Sequence, residues 1–208
     1  MPTNIICLGD SITAASDQPD CDGWTGVLQR LLDGRAPGEF KVYNRGIGGQ
    51  TAGEGLERIF LDVTPHLPGI VLVQFGFNDA VIYPGMLIPR LTIEEFMLKM
   101  REIARIVSLH GGRPVFIVNH IQHDKLEQGT GERYEETYAR YEAAIRELLP
   151  DIPVPGIDLP RMMAERQVDL ATFLTADGIH LTAEGNRMYG EMIFAGLPCL
   201  GLIPEASR

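Results

Sequence analysis

Ser11 and His180 are the side chains whose neighbours could support nucleophilic catalysis. The sequence holds four serines, Ser11, Ser16, Ser108 and Ser207. Ser108 falls within a helical pattern and Ser207 lies next to the last residue. Ser11 sits in Gly9-Asp10-Ser11-Ile12-Thr13, directly after an apolar run. Small residues there let the chain turn sharply and expose a side chain at a sheet edge. Asp and Ser also favour helix N-caps, and this segment alone fits an N-cap better than a nucleophile. His180 closes Asp177-Gly178-Ile179-His180. A carboxylate three residues earlier can curl back onto one imidazole nitrogen, set the tautomer and steady the imidazolium formed during reaction. Alone, that pair reads more simply as a loop Asp and a surface His ahead of a helix capped by Thr182.

Two further segments could stabilise developing negative charge. Asn44-Arg45-Gly46-Ile47-Gly48-Gly49-Gln50-Thr51 is glycine-rich and leads into a helical pattern, where backbone N–H groups can hold an oxyanion. It is a poor dinucleotide fingerprint, since Thr51 occupies the third glycine position and the segment follows the second strand. Gly76-Phe77-Asn78-Asp79 follows the third strand; Asn78 can donate into the same crevice, or simply form an Asn-Asp turn.

The elements that must position these residues alternate in type. Short apolar runs at 4–8, 40–44, 70–75, 114–119 and 153–157 read as strands. Helical spacing covers 24–32, 55–63, 92–110, 134–149 and 183–195. In 55–63, Leu56, Ile59 and Phe60 share one side. The 92–110 helix carries the stripe Phe96, Met100, Ile103 and Val107. Thr92 with Glu95 predicts a capping box, and Gly111-Gly112 predicts its end. Strands alternating with helices imply a parallel sheet covered on both faces. Each chemical fragment then falls at a strand's C-terminal end or in the last loop, where such sheets build their sites. Together they provide a nucleophile, a base, an orienting carboxylate and oxyanion donors.

In this order, the four blocks resemble those of the SGNH hydrolases, the GDSL esterase/lipase family, across residues 4 to about 195. The resemblance implies a three-layer α/β/α sandwich with a flavodoxin-like, five-stranded parallel sheet. It implies Ser11 as nucleophile, His180 as general base and then acid, and Asp177 as orienter. The oxyanion hole would be the Ser11 and Gly49 N–H groups with the Asn78 amide; no metal or organic cofactor is implied. Ile12 replaces the leucine of the family name, and Gln50 stands where many members carry Asp. Nothing like the Gly-x-Ser-x-Gly elbow of α/β-hydrolases surrounds Ser11.

Composition sets the bounds. The 208 residues suit one domain, 1–208, large enough to need no staples. Eighteen basic against 28 acidic residues give a net charge of −10, which disfavours nucleic acid and anionic lipid. No apolar run approaches the ~18 residues of a spanning helix. Three widely spaced cysteines and no leader-like start point to a reducing cytoplasm. Asp10, Phe77, His120 and His123 are expected near substrate, the two histidines in a 120–131 loop that could close as a lid. His120-Ile121-Gln122-His123-Asp124 also invites a metal reading, but lacks a convincing third and fourth ligand. Tyr83, Met86 and Leu87 could wall an acyl pocket or simply pack, Trp24 is expected in the core, and Asp158 is a weaker rival orienter. The expectation is a serine esterase for short-chain acyl or acetyl esters, including carbohydrate O-acetyl groups. The alternatives are a lysophospholipase or thioesterase, an acyltransferase with the same triad, a silent binding protein, or a nucleotide-binding module.

Overall fold

The computed structural model describes residues 2–15, 23–122, 128, 130–151 and 155–203. Five strands, β1 (Thr3–Gly9), β2 (Phe40–Gly46), β3 (Gly69–Gln74), β4 (Arg113–Val118) and β5 (Gly156–Asp158), form one sheet in the order 2-1-3-4-5. Every neighbouring pair is parallel. The middle strands are apolar on both faces: Ile5, Ile6, Leu8, Val71, Leu72, Val73, Val115, Phe116, Ile117 and Val118 are all fully buried. A parallel sheet must be covered on both sides, and that requirement explains runs without polar alternation.

The helices described are α1 (Ser11–Ala14), α2 (Gly23–Arg35), α3 (Ala52–Glu57), α4 (Ile59–Asp62), α5 (Ile93–Leu109), α6 (Tyr134–Asp151), α7 (Leu159–Glu165), α8 (Leu170–Phe173) and α9 (Ala183–Cys199). α2 packs against α9 as one outer layer, and α3, α5 and α6 form the other. The architecture is the expected three-layer α/β/α sandwich. The α5 capping box is present, with Thr92 accepting the Glu95 N–H and Glu95 accepting the Thr92 N–H. At the other end of α5, Gly111 at φ 76° turns the chain out of the helix.

Some boundaries differ from the sequence reading. β2 runs on to Gly46 and β3 ends at Gln74. The fifth strand begins at Gly156; positions 153 and 154 of the expected strand lie outside the described residues. The expected 55–63 helix is broken at Arg58, which caps α3 and opens α4 at φ −97°, ψ 5°. Phe60 is consequently 58% exposed and does not share a buried side with Ile59. α7 and α8 were not anticipated, being too short for a helical stripe to register.

The register explains why the chemistry gathers at one edge. Gly9 pairs with both Gly46 and Gln74, so β1, β2 and β3 end level. The order 2-1-3 reverses direction at β1, and the crevice between β1 and β3 is where such sheets take ligands. Three connections therefore emerge side by side, each carrying one fragment picked out in the sequence.

Candidate active site

Ser11 is the first residue of α1, two residues beyond the end of β1. Asp10 caps that turn, its Oδ1 accepting the Ile12 N–H at 2.9 Å. The turn is anchored from below. Trp24 donates its indole N–H to Ile12 O at 3.0 Å, Asn44 its amide to Thr13 O at 2.8 Å, and Thr13 its hydroxyl to Gln74 Oε1 at 2.9 Å. A Cβ at Gly46 would stand 2.1 Å from Ala14 N, so only glycine lets α1 sit so close over the strand ends. Ser11 itself remains half-buried, with its hydroxyl toward the crevice.

His180 reaches Ser11 from 169 residues along the chain. Its Nε2 lies 2.9 Å from Ser11 Oγ, and its Nδ1 lies 2.6 Å from Asp177 Oδ2. A carboxylate can only accept, so Nδ1 carries the proton and Nε2 is free to accept the serine hydroxyl. Asp177 Oδ1 accepts from Thr175 Oγ1 at 2.7 Å and from the N–H groups of Ile179 and His180 at 2.9 Å. Burial alone would raise this carboxyl; the hydrogen bonds from His180, the two backbone N–H groups and Thr175 outweigh it and hold Asp177 well below the usual carboxylate range. The imidazole and carboxylate are 30% and 50% exposed, so the relay opens toward solvent. Such a chain can draw a proton from the serine hydroxyl as its oxygen attacks, while the carboxylate steadies the imidazolium.

The glycine-rich loop passes beside the nucleophile. A Cβ at Gly48 would lie 3.9 Å from Ser11 Cβ, and Gly49 adopts φ 77° with open space on that side. Asn78 donates one amide N–H to Gln50 O at 3.1 Å. Its turn is clamped by Asp79, whose carboxylate accepts the Ala52 N–H at 2.9 Å and the Gly76 N–H at 3.0 Å. Burial pushes the Asp79 carboxyl up to about 6 against those two bonds. Arg90 ties the next loop down, donating to Gly49 O at 2.6 Å and to Glu54 Oε2 at 2.9 Å. Asp79, Arg90 and Arg58 all support this edge. Asp79 lies within a block picked out in the sequence, whereas Arg90 and Arg58 look there like ordinary surface residues.

Asp10, Phe77 and His120 depart from the expectation of direct substrate contact. Phe77 is buried, stacked on Tyr138 at 4.6 Å between ring centroids. His120 is fully buried beneath the His180 loop, its Nε2 2.8 Å from Ile179 O. That carbonyl accepts, so Nε2 carries the proton and His120 positions the backbone next to His180. Burial pushes its pKa down to about 4, keeping the ring neutral. His123 lies outside the described residues, as does half of the expected lid at 120–131. Trp24 is in the core as expected. Asp158, the rival orienter, binds Arg146 at 2.9 Å and caps α7 instead. Tyr83, Met86 and Leu87 are 53%, 50% and 82% exposed, so they do not pack into the core.

Asp10 has no exposed surface, and its Oδ2 is buried with no partner among the described residues. Burial pushes its carboxyl up to about 7, against the bonds from Ile12 N–H and Gln74. A raised folded pKa means stability present below the unfolded value of about 4 and lost as pH rises through about 7. Asp10→Asn keeps the cap oxygen and removes this titration. Urea unfolding at pH 4 and pH 8 should show the variant losing less stability than wild type, by up to about 4 kcal/mol. Equal losses in the two proteins would mean Asp10 stays ionised in the fold.

A model of the GDSL-like lipase/acylhydrolase family matches residues 7–188. The GDSL esterase/lipase WDL1 of Oryza sativa subsp. japonica is 29% identical over 194 residues, covering 86% of this chain and 74% of the relative. The isoamyl acetate-hydrolyzing esterase 1 homolog of Bos taurus is 26% identical over 212 residues, covering 93% and 79%. Among solved structures, the lipase/acylhydrolase from Enterococcus faecalis superposes with a TM-score of 0.79 at 23% identity, covering 99% of this chain and all of the other.

Proposed function

The chain belongs to the GDSL-like lipase/acylhydrolase family and is a carboxylic ester hydrolase; from that premise we propose that it works through a Ser11–His180–Asp177 triad on short-chain acyl esters, acetyl esters of sugars among them. The observation that carries this reading is the continuous chain from Asp177 Oδ2 through His180 to Ser11 Oγ, with contacts of 2.6 and 2.9 Å. The oxyanion donors in this reading are the Ser11 and Gly49 N–H groups and the Asn78 amide. The whole of 1–208 is read as one such domain, with small-molecule esters as its partners. Among the described residues no helix is long and apolar enough to cross a membrane.

In this mechanism Ser11 Oγ attacks the ester carbonyl as its proton passes to His180 Nε2. The carbonyl oxygen becomes an oxyanion held by the three donors. Collapse breaks the bond to the alcohol, which leaves with the proton from His180. A water then attacks the acyl-Ser11 ester, gives its proton to His180, and releases the acid while Ser11 regains its hydrogen.

A short acyl group is supported by the acetate ester in the name of the Bos taurus relative. One structural feature favours a second reading, a lysophospholipase or thioesterase. The loop after Asn78 carries Tyr83, Met86, Leu87 and Ile88, all at least half exposed, and Arg90 bolts it to the Gly49 carbonyl. A long acyl chain could lie along that apolar surface. The test is a p-nitrophenyl series of acetate, butyrate, octanoate and palmitate. The short-chain reading expects kcat/KM highest for acetate or butyrate, falling at least tenfold by octanoate. A maximum at octanoate or palmitate would overturn it in favour of the second.

A further inference from the structure

Arg58 is a heavily bonded, buried charged side chain at the active edge, yet the four bonds described for it go to none of the triad. It is 9% exposed, and its guanidinium makes four contacts in three directions. Nε donates to Gln50 Oε1 at 2.7 Å; Nη1 donates to Asp62 Oδ2 at 2.7 Å. Nη2 donates to Gly9 O at 3.1 Å and to Arg45 O at 2.9 Å. A buried charge needs such partners, and a planar fork can satisfy several acceptors at fixed angles. The positions of those acceptors matter. Gly9 immediately precedes Asp10-Ser11, and Arg45 is the last residue but one of β2, whose end leads into the loop that carries Gly48 and Gly49. Gln50 follows Gly49, and its backbone carbonyl accepts the Asn78 amide at 3.1 Å.

We propose that Arg58 and Gln50 are positioning residues that hold the oxyanion hole in register with the nucleophile, a role that rests on the hole assignment above. Arg58 fixes the spacing between the β1 and β2 ends. Gln50 carries that constraint onward, its side chain held by Arg58 and its carbonyl holding Asn78. One Asn78 N–H is thereby occupied, and the other is aimed by the rigid amide plane. The break between α3 and α4 follows from the same arrangement, since a continuous helix would not leave Arg58 at the bend with its side chain turned toward the strand ends. An ordinary structural ion pair with Asp62 would explain one of the four bonds and none of the contacts leading to the hole.

The experiment separates Gln50 from the ion pair. Gln50→Ala leaves Asp62 and both carbonyl contacts of Arg58 intact. Arg58→Lys keeps the charge beside Asp62, but a point ammonium cannot span the four acceptors. Both variants should lower kcat on p-nitrophenyl acetate about 10- to 100-fold with KM within about threefold, the size expected when a reacting group is displaced by about 1 Å. The inhibition constant of an alkylboronic acid, whose Ser11 adduct is tetrahedral and anionic, should rise by the same factor as kcat/KM falls. Gln50→Glu retains the acceptor oxygen and should recover most of kcat. Wild-type kcat in folded Gln50→Ala and Arg58→Lys overturns the proposal. So does a fall in kcat with an unchanged boronate constant. Asn78→Ala, run alongside, separates two failures. If it keeps wild-type kcat, the hole itself is misassigned and the proposal falls with it. If it is crippled by about 10²–10³ while the other variants are not, the proposal alone fails.

Discussion

Ser11→Ala and His180→Ala should each lower kcat on p-nitrophenyl acetate by about 10⁶-fold, and the double variant should lose no more than either single one. The reason is the shared proton. The hydroxyl of Ser11 is a weak nucleophile until His180 Nε2, 2.9 Å away, takes its hydrogen. Without the base, the hydroxyl is left to react unaided; without the hydroxyl, the base has nothing to activate in the acylation step. Each change removes the whole device, so the second costs little more. The residual rate should still exceed that in water by about 10³–10⁴, because backbone donors and substrate binding survive both substitutions. Folding should be little affected, since Ser11 is half-buried and its Oγ bonds only to the imidazole among the contacts described. Steady-state kinetics on the four proteins, with circular dichroism as the folding control, decides it. Multiplying losses would show that the two side chains act in separate steps, and an active Ser11→Ala would move the nucleophile elsewhere.

Much of this site is legible in the sequence because its parts occupy fixed places along the chain. A parallel sheet is visible as uninterrupted apolar runs at residues such as 70–73, and its C-terminal edge is then known without coordinates. Ser11, Gly49 and Asn78 each follow a strand, so topology alone brings them to one edge. His180 is different. It lies 169 residues from Ser11, and only the short loop before α9 carries it back. What signals it is the local Asp-x-x-His spacing, which the structure turns into a tight carboxylate nest. The residues that the sequence conceals are those whose partners are backbone atoms. Arg58 reads as an exposed helix residue, since neither Gly9 O nor Arg45 O leaves any mark in the sequence. His120 misleads in the opposite way. A histidine after a strand suggests ligand contact, but Phe77, Phe173 and Tyr189 enclose its ring. Which side of β4's end faces the core is decided by packing that no short motif encodes.

The geometry around Asp177 makes the outcome of Asp177→Asn unusually specific. Thr175 Oγ1 and the N–H groups of Ile179 and His180 all bond to Oδ1. Only Oδ2 faces His180 Nδ1. An asparagine fits this nest in one orientation, its carbonyl oxygen replacing Oδ1 and its NH₂ replacing Oδ2. Flipping the amide would turn its NH₂ onto the N–H groups of Ile179 and His180, donor against donor. In the fitting orientation an N–H meets Nδ1, which must then accept. The proton of the neutral ring moves to Nε2, where it opposes the serine hydroxyl. The base is thus held in the tautomer that cannot accept, and kcat should fall about 10⁴-fold with little change in KM. Stability near neutral pH should change far less, because the three Oδ1 bonds survive and the side chain is half exposed. Wild-type Asp177, held below the ordinary carboxylate range, contributes stability above pH about 4 that is lost as pH falls, and the variant should lack this acid dependence. Kinetics at pH 8 with urea melts at pH 3 and pH 7 read both effects. A variant within tenfold of wild-type kcat would show that the carboxylate does not set the histidine tautomer. A loss of catalysis matched by a collapse in stability at pH 7 would show that Asp177 holds the loop and does not orient the base.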